Sequence, residues 1–285
     1  IYSSSFTDDI SISGNEFNDK SGSGITVSPQ PSLTGEQIYF YTNASDLPSD
    51  TTIYNVNSAT LDGSSQALSI TNGNSSIEPN ATDWSTGVWV KGSTTTGTQM
   101  IISRFNNANI GFDVYVDGGN NDCRIRIYSS GSDYRIDSFP NTFLDGNWHF
   151  LSLDWNQTSQ TFDLYLDDSA VTLTNVTNLG TVSLNLLDHP LSFGYYTPNS
   201  DWFFSGYVSF GYWNNAQLTG AQRTELYGSG IPPCFDDLSF ALDGAWNLST
   251  WTGSNVPTID QTGNGNDLTP VGSPTYTDQG LQVEC

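Results

Sequence analysis

Catalysis needs carboxylates, imidazoles or nucleophiles, and this chain of 285 residues places few of them where they could react. Its glutamates are Glu16, Glu36, Glu78, Glu225 and Glu284. A retaining glycoside hydrolase needs two neighbouring carboxylates, one as nucleophile and one as acid and base. No two of these glutamates share a strand-length segment, and G-x-S-x-G, paired-histidine and glycine-rich phosphate motifs are missing. We therefore expect that the protein is not an enzyme.

A second group of residues could bind sugars rather than react with them. Tyr195, Tyr196, Asn199, Asp201 and Trp202 lie in or beside a predicted loop at residues 196–201. Exposed aromatic rings next to Asn and Asp can stack on sugar faces. Large aromatic residues also dominate sandwich interiors, so the alternative is that these rings only cover one end of the core. The first interpretation makes these five the candidate ligand-binding residues.

The elements that would carry these residues are β-strands. In residues 145–168, apolar and polar residues alternate on both sides of a polar turn, which predicts a β-hairpin. The residues expected in the core are Leu151, Leu153, Trp155, Leu164 and Leu166. Further strands are predicted at residues 100–104, 110–116, 123–128, 181–186, 191–195 and 203–213. Many short strands with almost no helical periodicity predict a two-sheet sandwich.

The same hairpin carries a family pattern. A W-H-x-hydrophobic strand from Trp148 precedes an L-Y-x-D strand from Leu164, and residues 82–91 and 218–227 add further matches. These segments resemble laminin-G-like domains of the concanavalin A-like superfamily. The resemblance implies an all-β, two-sheet antiparallel jelly-roll sandwich with a short helix near residues 218–227. It covers residues 58–231, leaving 1–57 as N-terminal strands and linker and 232–285 as a partial second repeat or docking tail.

Two segments near the ends of the chain look like copies of one unit. Residues 19–24 and 260–265 share the pattern D-x-[ST]-G-x-G, and the later copy resembles the opening of a laminin-G-like domain. Many laminin-G-like and pentraxin-like domains bind calcium. The resemblance therefore implies a Ca²⁺ site with oxygen ligands from Asp260, Asn264, Asn266 and Asp267. The alternative is that these Asp and Asn residues only form turns.

The three cysteines, Cys123, Cys234 and Cys285, cannot all pair within the chain, and their spacing matches no zinc motif. Either all three are free, or Cys234 and Cys285 form a disulfide that pins the C-terminal segment and leaves Cys123 over.

Charge limits the partners. Seven Lys and Arg stand against 30 Asp and Glu, a formal net charge of −23, which would repel nucleic acids and anionic membrane surfaces. We expect neither nucleic-acid binding nor membrane insertion, and no stretch is long and apolar enough to span a bilayer. A chain rich in Ser, Thr, Asn and Gly favours an extracellular, cell-surface or virion location. The expected partner is a glycan or a protein surface, with self-assembly through residues 232–285 as a further option.

Three functions compete. The leading hypothesis is a non-catalytic recognition or adhesion module on a surface or virion fibre protein, which binds a glycan or a protein. The alternative is a structural subunit or decoration protein of an extracellular filament or virus particle. A glycoside hydrolase comes third, because the glutamates it would use are not paired. This ranking follows from the resemblance and from the catalytic groups, since a fold alone does not fix a function.

Overall fold

A computed structural model describes most of the chain. The described residues are 10–13, 16–19, 53–70, 75–93, 97–105, 110–120, 122–130, 132–185, 189–196, 201–233, 238–248 and 258–284. The chain divides into two compact units, Ile1–Ile53 together with Cys285, and Tyr54–Glu284. In the first unit, strands β1 (Ile10–Ser13) and β2 (Glu16–Asp19) form an antiparallel hairpin. Cys234 and Cys285, the predicted disulfide, lie outside the described residues.

The second unit is built from β-strands with one short helix. Its strands are β3 (Ile53–Asp62), β4 (Ala67–Ile70), β5 (Trp84–Ser93), β6 (Gln99–Phe105), β7 (Gly111–Asp117), β8 (Asp122–Tyr128), β9 (Tyr134–Phe139), β10 (Asp145–Asn156), β11 (Thr161–Leu166), β12 (Ser169–Val171), β13 (Thr174–Leu179), β14 (Ser192–Phe193), β15 (Ser205–Asn214), β16 (Gly244–Asn247), β17 (Leu268–Val271) and β18 (Thr275–Glu284). The helix is α1 (Gly220–Tyr227), and short 3-10 turns occur at Ser75–Ile77 and Gly228–Gly230.

The strands form two eight-stranded sheets. The first sheet has the order β12-β11-β10-β5-β15-β3-β18, with β16 pairing to β15. The second sheet has the order β13-β9-β8-β7-β6-β14-β4-β17. The pairings with a described register are antiparallel, and apolar residues from both sheets form one buried core. The prediction of an all-β, two-sheet antiparallel sandwich is confirmed.

The predicted central hairpin is strands β10 and β11. Leu151 pairs with Leu166 and Trp155 pairs with Phe162. The predicted core residues are buried, except that Leu166 is partly buried and packs against the core. The pattern of alternating residues is sufficient to fix this register because a slip by one residue would turn every apolar side chain outward.

The turn after β11 uses two aspartates where glycine would be easier. Asp167 and Asp168 have φ of 52° and 60°, in the left-handed region that a tight hairpin turn needs at both central positions. Their carboxylates offset this strain through hydrogen bonds. Asp167 accepts from the backbone N–H of Phe150 (2.8 Å), and Asp168 accepts from the hydroxyl of Thr224 on α1 (2.6 Å).

Residues 232–285 contribute strands to both sheets. Strand β16 pairs with β15, β17 pairs with β4, and β18 pairs with β3. Trp246 of β16 is fully buried, and its indole N–H donates to the backbone oxygen of Asn266 (2.6 Å). Within this chain, the segment therefore completes the edges of its own sandwich. Self-assembly through it and the predicted domain boundaries stay predictions.

One predicted strand is wrong. Residues 181–185 form no strand, and strand β13 lies earlier, at Thr174–Leu179. The reason is that two glutamine side chains form hydrogen bonds with the backbone N–H and oxygen of Val182. Its N–H donates to Oε1 of Gln160 (2.6 Å), and its oxygen accepts from the amides of Gln157 (2.7 Å) and Gln160 (3.0 Å). These bonds replace the ladder that a neighbouring strand would supply.

Helix α1 lies where the sequence predicts it. Thr219 caps its N-terminus: the Thr219 hydroxyl accepts from the N–H of Gln222, whose side chain accepts in turn from the N–H of Thr219. This reciprocal capping box satisfies two N–H groups that a helix start otherwise leaves unpaired. Gly228 ends the helix with φ of 54°, a left-handed conformation that glycine adopts without strain.

Candidate functional site

The second sheet turns one face to the core and the other away from it. On β8, Ile125 and Ile127 belong to the core, so Arg126 between them projects from the opposite face. The register with β7 places Asp113 opposite Arg126. Aromatic rings from β6, β7, β8 and the segment after β14 surround this arginine. We call the group the Arg126 cluster; its members are Met100, Phe105, Tyr115, Arg126, Tyr128, Tyr196 and Trp202.

An ion pair organises this cluster. The carboxylate of Asp113 accepts from Nε of Arg126 (2.9 Å) and from its Nη2. The guanidinium carbon lies 4.7 Å from the ring centroid of Tyr115 and 5.6 Å from that of Trp202. Burial raises the pKa of Asp113 and raises that of Tyr115 to about 12, although Arg126 opposes both shifts. The cation thus orients the rings through cation–π contacts while its charge is held by Asp113.

Trp202 occupies a strained position beside the cluster. Its φ is 55°, which is rare for a bulky residue. Two backbone hydrogen bonds hold the segment: the N–H of Tyr196 donates to the oxygen of Asp201 (2.8 Å), and the N–H of Met100 donates to that of Trp202 (2.7 Å). The rings of Tyr196 and Trp202 stack with centroids 4.8 Å apart. Such strain persists only where the surroundings enforce it, and it concentrates at ligand sites.

A recess of about 390 Å³ opens beside this tryptophan. We call it the Trp202 recess; it is lined by Gly63, Ser64, Gly97, Thr98, Gln99, Asp201, Trp202 and Phe203. The N–H of Gly63 donates to the oxygen of Phe204 (3.0 Å), and Oε1 of Gln99 accepts from the N–H of Ser205 (3.0 Å). Gly63 has φ of 73°, and a Cβ there would lie 2.8 Å from Cβ of Ser205, so only glycine fits. The recess has the size of a small-ligand site and joins aromatic rings to polar groups.

The five predicted ligand-binding residues fall into three groups. Asp201 and Trp202 line the Trp202 recess. Tyr195 and Tyr196 are buried; Tyr195 stacks on Phe203, and Tyr196 belongs to the Arg126 cluster. Asn199 lies outside the described residues. The tyrosines thus support the site from below rather than line its surface.

Sequence reasoning missed the residues that come from distant strands. Gln99 and Ser64 line the recess, and Tyr115 and Arg126 lie beneath Trp202. The alternation Cys123, Ile125, Ile127 against Arg124 and Arg126 was a usable signal, because it places two arginines on one outward face. Nothing in the local sequence shows that this face meets Tyr196 and Trp202.

The predicted calcium ligands form a hydrogen-bonded loop. Oδ1 of Asp260 accepts from the N–H groups of Ala245 and Thr262 and from the Thr262 hydroxyl, at 2.7–3.1 Å. Its Oδ2 accepts from the backbone and side-chain N–H groups of Asn266 at 3.1 and 2.8 Å. Asp267 is exposed, and its Oδ1 accepts from the N–H of Asp260 (2.8 Å). Protein donors therefore already use both oxygens of Asp260, and calcium binding stays a prediction.

Asn264 lies at the exposed tip of this loop, where its side-chain amide donates to the backbone oxygen of Asp243 (3.0 Å). Across the described residues, no group of three or more His, Cys, Asp or Glu side chains is arranged to hold a metal ion. A Ca²⁺ ion here would thus find the Asp267 carboxylate and Asn side chains rather than a cluster of carboxylates.

Two pairs of carboxylates meet across strands among the described residues. Asp117 of β7 lies opposite Asp122 of β8, with Nε of Arg124 at 3.0 and 3.5 Å from them. The register of β10 and β11 places Asp154 opposite Asp163, a pairing that spacing along the sequence does not show. Asp154 is buried, and Nη1 of Arg223 on α1 donates to it at 3.0 Å. Burial raises the pKa of Asp154 to about 7, with Arg223 opposing the shift and Asp163 adding to it. Because helix α1 covers this carboxylate, a polysaccharide cannot reach it.

A family model now places the sandwich among known proteins. The model described as Clostridium neurotoxin, N-terminal receptor binding, matches residues 15–187, more than half of the chain. The chain belongs to this family. The sequence resemblance to laminin-G-like domains thus identified the fold type but not the family. No curated protein matches the chain.

Solved structures share the sandwich of this receptor-binding family member. A Bacteroides ovatus ATCC 8483 protein classed as carbohydrate-binding has a TM-score of 0.55 and 11% identity over 81% of this chain, which spans only 62% of that protein. A heptameric SAP-like pentraxin from Limulus polyphemus has a TM-score of 0.46 and 14% identity, over 73% of this chain and 97% of that one. The CBM40 module of a Ruminococcus gnavus IT-sialidase, bound to α2,3-sialyllactose, has a TM-score of 0.42 and 12% identity, over 55% and 94%. At these identities the likeness concerns the fold.

In the part of the chain that the structure describes, helix α1 has eight residues, and no helix reaches the length and apolarity of a membrane span.

Proposed function

We propose that this chain is a non-catalytic glycan-binding module of an extracellular or surface protein, with the Trp202 recess as its binding site. The observation that carries the proposal is the strained Trp202, held by backbone hydrogen bonds at a recess of ligand size. Membership of a receptor-binding family is in line with a recognition role. The carbohydrate-binding class of the Bacteroides ovatus protein with the same fold points to glycans as the ligand.

The chemistry of the recess suits a sugar. Trp202 and Phe203 offer apolar ring surface for the C–H face of a pyranose, while Ser64, Thr98 and Gln99 offer hydroxyl and amide groups to its rim. Oδ1 of Asp201 is buried without a hydrogen-bond partner in the described structure. A buried acceptor of this kind is usually satisfied by an ordered water or a ligand.

Trp202→Ala tests the proposal. We expect glycan binding by surface plasmon resonance to fall by about tenfold or more, because the stacking surface is lost. Trp148→Ala is the matched control, since Trp148 is a half-buried tryptophan on the first sheet that contacts Tyr207 rather than the recess. Equal losses in both variants, or unchanged binding in Trp202→Ala with an intact near-UV circular dichroism spectrum, would contradict this site.

The non-catalytic part of the proposal has its own support in Asp154. In the pair Asp154–Asp163, Arg223 of α1 closes off Asp154. In the pair Asp117–Asp122, Arg124 lies beside both carboxylates. We expect no release of reducing sugar from polysaccharides or bound oligosaccharides. Turnover that disappears on Asp154→Asn or Asp163→Asn would overturn this part.

A further inference from the structure

The arginines of this protein are held by its own carboxylates. Sequence supplies seven basic residues, and five are arginines. The ion pairs are Arg104 with Glu78 (2.6 Å), Arg124 with Asp117 (3.0 Å), Arg126 with Asp113, Arg135 with Asp137 (2.6 Å) and Arg223 with Asp154 (3.0 Å). Arginine is the side chain best suited to bind a ligand carboxylate or sulfate, through its two parallel N–H donors. In this chain, those donors are directed to internal partners.

Arg126 lies against the ring of Trp202, and its position is enclosed. Asp113, which is fully buried, accepts from both Nε and Nη2. The guanidinium carbon of Arg126 lies 5.3–5.6 Å from the ring centroids of Phe105, Tyr196 and Trp202, and the Arg126 side chain is 16% exposed. Binding of an anionic sugar through Nε and Nη2, the edge that already forms two parallel hydrogen bonds, would leave the buried Asp113 unpaired.

The structure describes one of the two lysines. Lys91 lies on β5 of the first sheet, where its ammonium is 5.7 Å from the ring centroid of Tyr207. Lys20 belongs to the first unit and lies outside the described residues.

The rim of the recess carries negative charge. Asp201 lines it directly. Asp62 precedes the lining residues Gly63 and Ser64 and accepts hydrogen bonds from the N–H groups of Ser64 (2.9 Å) and Ser65 (2.8 Å). Slight burial raises the pKa of Asp62, but these hydrogen bonds and those of the two serine hydroxyls outweigh it, and the pKa lies well below its usual value. Asp62 therefore stays ionised at neutral pH, on a chain whose net charge is −23.

We propose that the Trp202 recess selects uncharged sugars and discriminates against sugars that carry a carboxylate or sulfate. This inference rests on the proposed function of the same recess. The negative charges of Asp201 and Asp62 repel an anion in the recess, and the five arginines are paired with internal carboxylates. We expect the binding of an anionic sugar to be weaker by about tenfold at low salt. Neutral hydroxyls escape this penalty and can donate to Asp201.

The test is a glycan array that presents neutral oligosaccharides beside their sialylated and sulfated derivatives, such as lactose and α2,3-sialyllactose. Binding of the whole chain is measured at about 0.02 M and at about 0.5 M salt, because screening at high salt should shrink an electrostatic difference. We expect neutral members to bind at least about tenfold better at low salt, with a smaller ratio at high salt. Asp201→Asn should reduce that ratio several-fold, and a ratio is insensitive to any loss common to both members.

The outcomes separate this inference from the proposed function. Equal or tighter binding of the sialylated or sulfated members, lost in Trp202→Ala, would keep the glycan site and overturn the selectivity. A preference for neutral sugars that salt and Asp201→Asn leave unchanged would overturn the electrostatic cause. Absence of binding to every member of the array, by a chain with native circular dichroism, would overturn the proposed function and this inference with it.

Discussion

On the outer face of each sheet, an arginine pairs with a buried aspartate beside an aromatic ring. On the first sheet, Arg223 pairs with Asp154, and its guanidinium carbon lies 3.2 Å from the ring centroid of Tyr165. On the second sheet, Arg126 pairs with Asp113, 4.7 Å from the ring centroid of Tyr115.

The two outer faces differ in the element that covers the arginine. Helix α1 itself carries Arg223, and its Tyr227 stacks on Trp89, so the helix seals that face. Among the described residues, Trp202 packs on the second face, and the recess opens beside it. An arginine–carboxylate pair ringed by aromatics is therefore not a binding site in itself. Under the proposed function, such a pair supports a binding site where no helix covers it.

The comparison assumes that both faces are mounted on one core, and Trp155→Ala tests that assumption. Trp155 of β10 is fully buried and packs against Phe162, with ring centroids 4.8 Å apart. We expect a loss of about 3–5 kcal/mol in the free energy of unfolding, measured by urea denaturation. Leu179→Ala on the exposed edge strand β13 is the control and should cost below about 0.5 kcal/mol. A small effect of Trp155→Ala would mean that the core is not shared as described.

The core is also the part that could be predicted from sequence. Alternation in β10 and β11 fixed which side chains face inward, and the resemblance of residues 218–227 to laminin-G-like domains implied α1. The outer faces could not be predicted in this way. Arg126 meets Asp113 across 13 residues of chain and meets Trp202 across a much longer distance, and only the assembled sheet brings them together. At Val182 the local sequence was misleading. Its apolar pattern predicted a strand, but hydrogen bonds with Gln157 and Gln160 replace the strand pairing.

Replacing Arg223 and Arg126 in turn should distinguish an arginine that only stabilises the fold from one that also supports glycan binding. Arg223→Met leaves Asp154 buried without its partner, and Arg126→Met does the same to Asp113. Each should cost about 3 kcal/mol in the free energy of unfolding. Only Arg126→Met should also abolish glycan binding, because the aromatic rings beneath Trp202 lose the cation that they contact. The controls are the double variants with Asp154→Asn or Asp113→Asn, which should recover part of the stability. Loss of binding in Arg223→Met at a temperature where it is folded would break the comparison.

The buried aspartates on both outer faces should lower the free energy of unfolding as the pH rises. Burial raises the pKa of Asp154 from 3.8 to about 7 and also raises that of Asp113. The folded chain then holds these protons more tightly than the unfolded chain, so their contribution is greatest below about pH 4 and is lost as the pH rises toward about 7. We expect urea unfolding to give a lower free energy at pH 7.5 than at pH 5.

Asp154→Asn is the control for this effect, because it removes the titrating group and should flatten the change between these two pH values. A stability that stays constant or rises from pH 5 to pH 7.5 in the native sequence would contradict the raised pKa values of the buried pairs. Carboxylates with depressed pKa values, such as Asp62, cannot mask the effect, because their contribution is already complete by pH 5.

The smallest expected effect concerns the Asp260 loop, far from either arginine along the chain. Five protein donors already use the oxygens of Asp260, so a Ca²⁺ ion would depend mainly on Asp267 and Asn264 at the exposed part of the loop. A site with so few carboxylates should be weak, with a Kd of about 1 mM. About 10 mM Ca²⁺ would then add about 1.4 kcal/mol and raise the melting temperature by a few degrees. Asp267→Asn should abolish that shift while Asp163→Asn, an exposed aspartate elsewhere, should not. If EDTA and Ca²⁺ give the same melting temperature, the predicted calcium site is wrong and the loop is held by its hydrogen bonds alone.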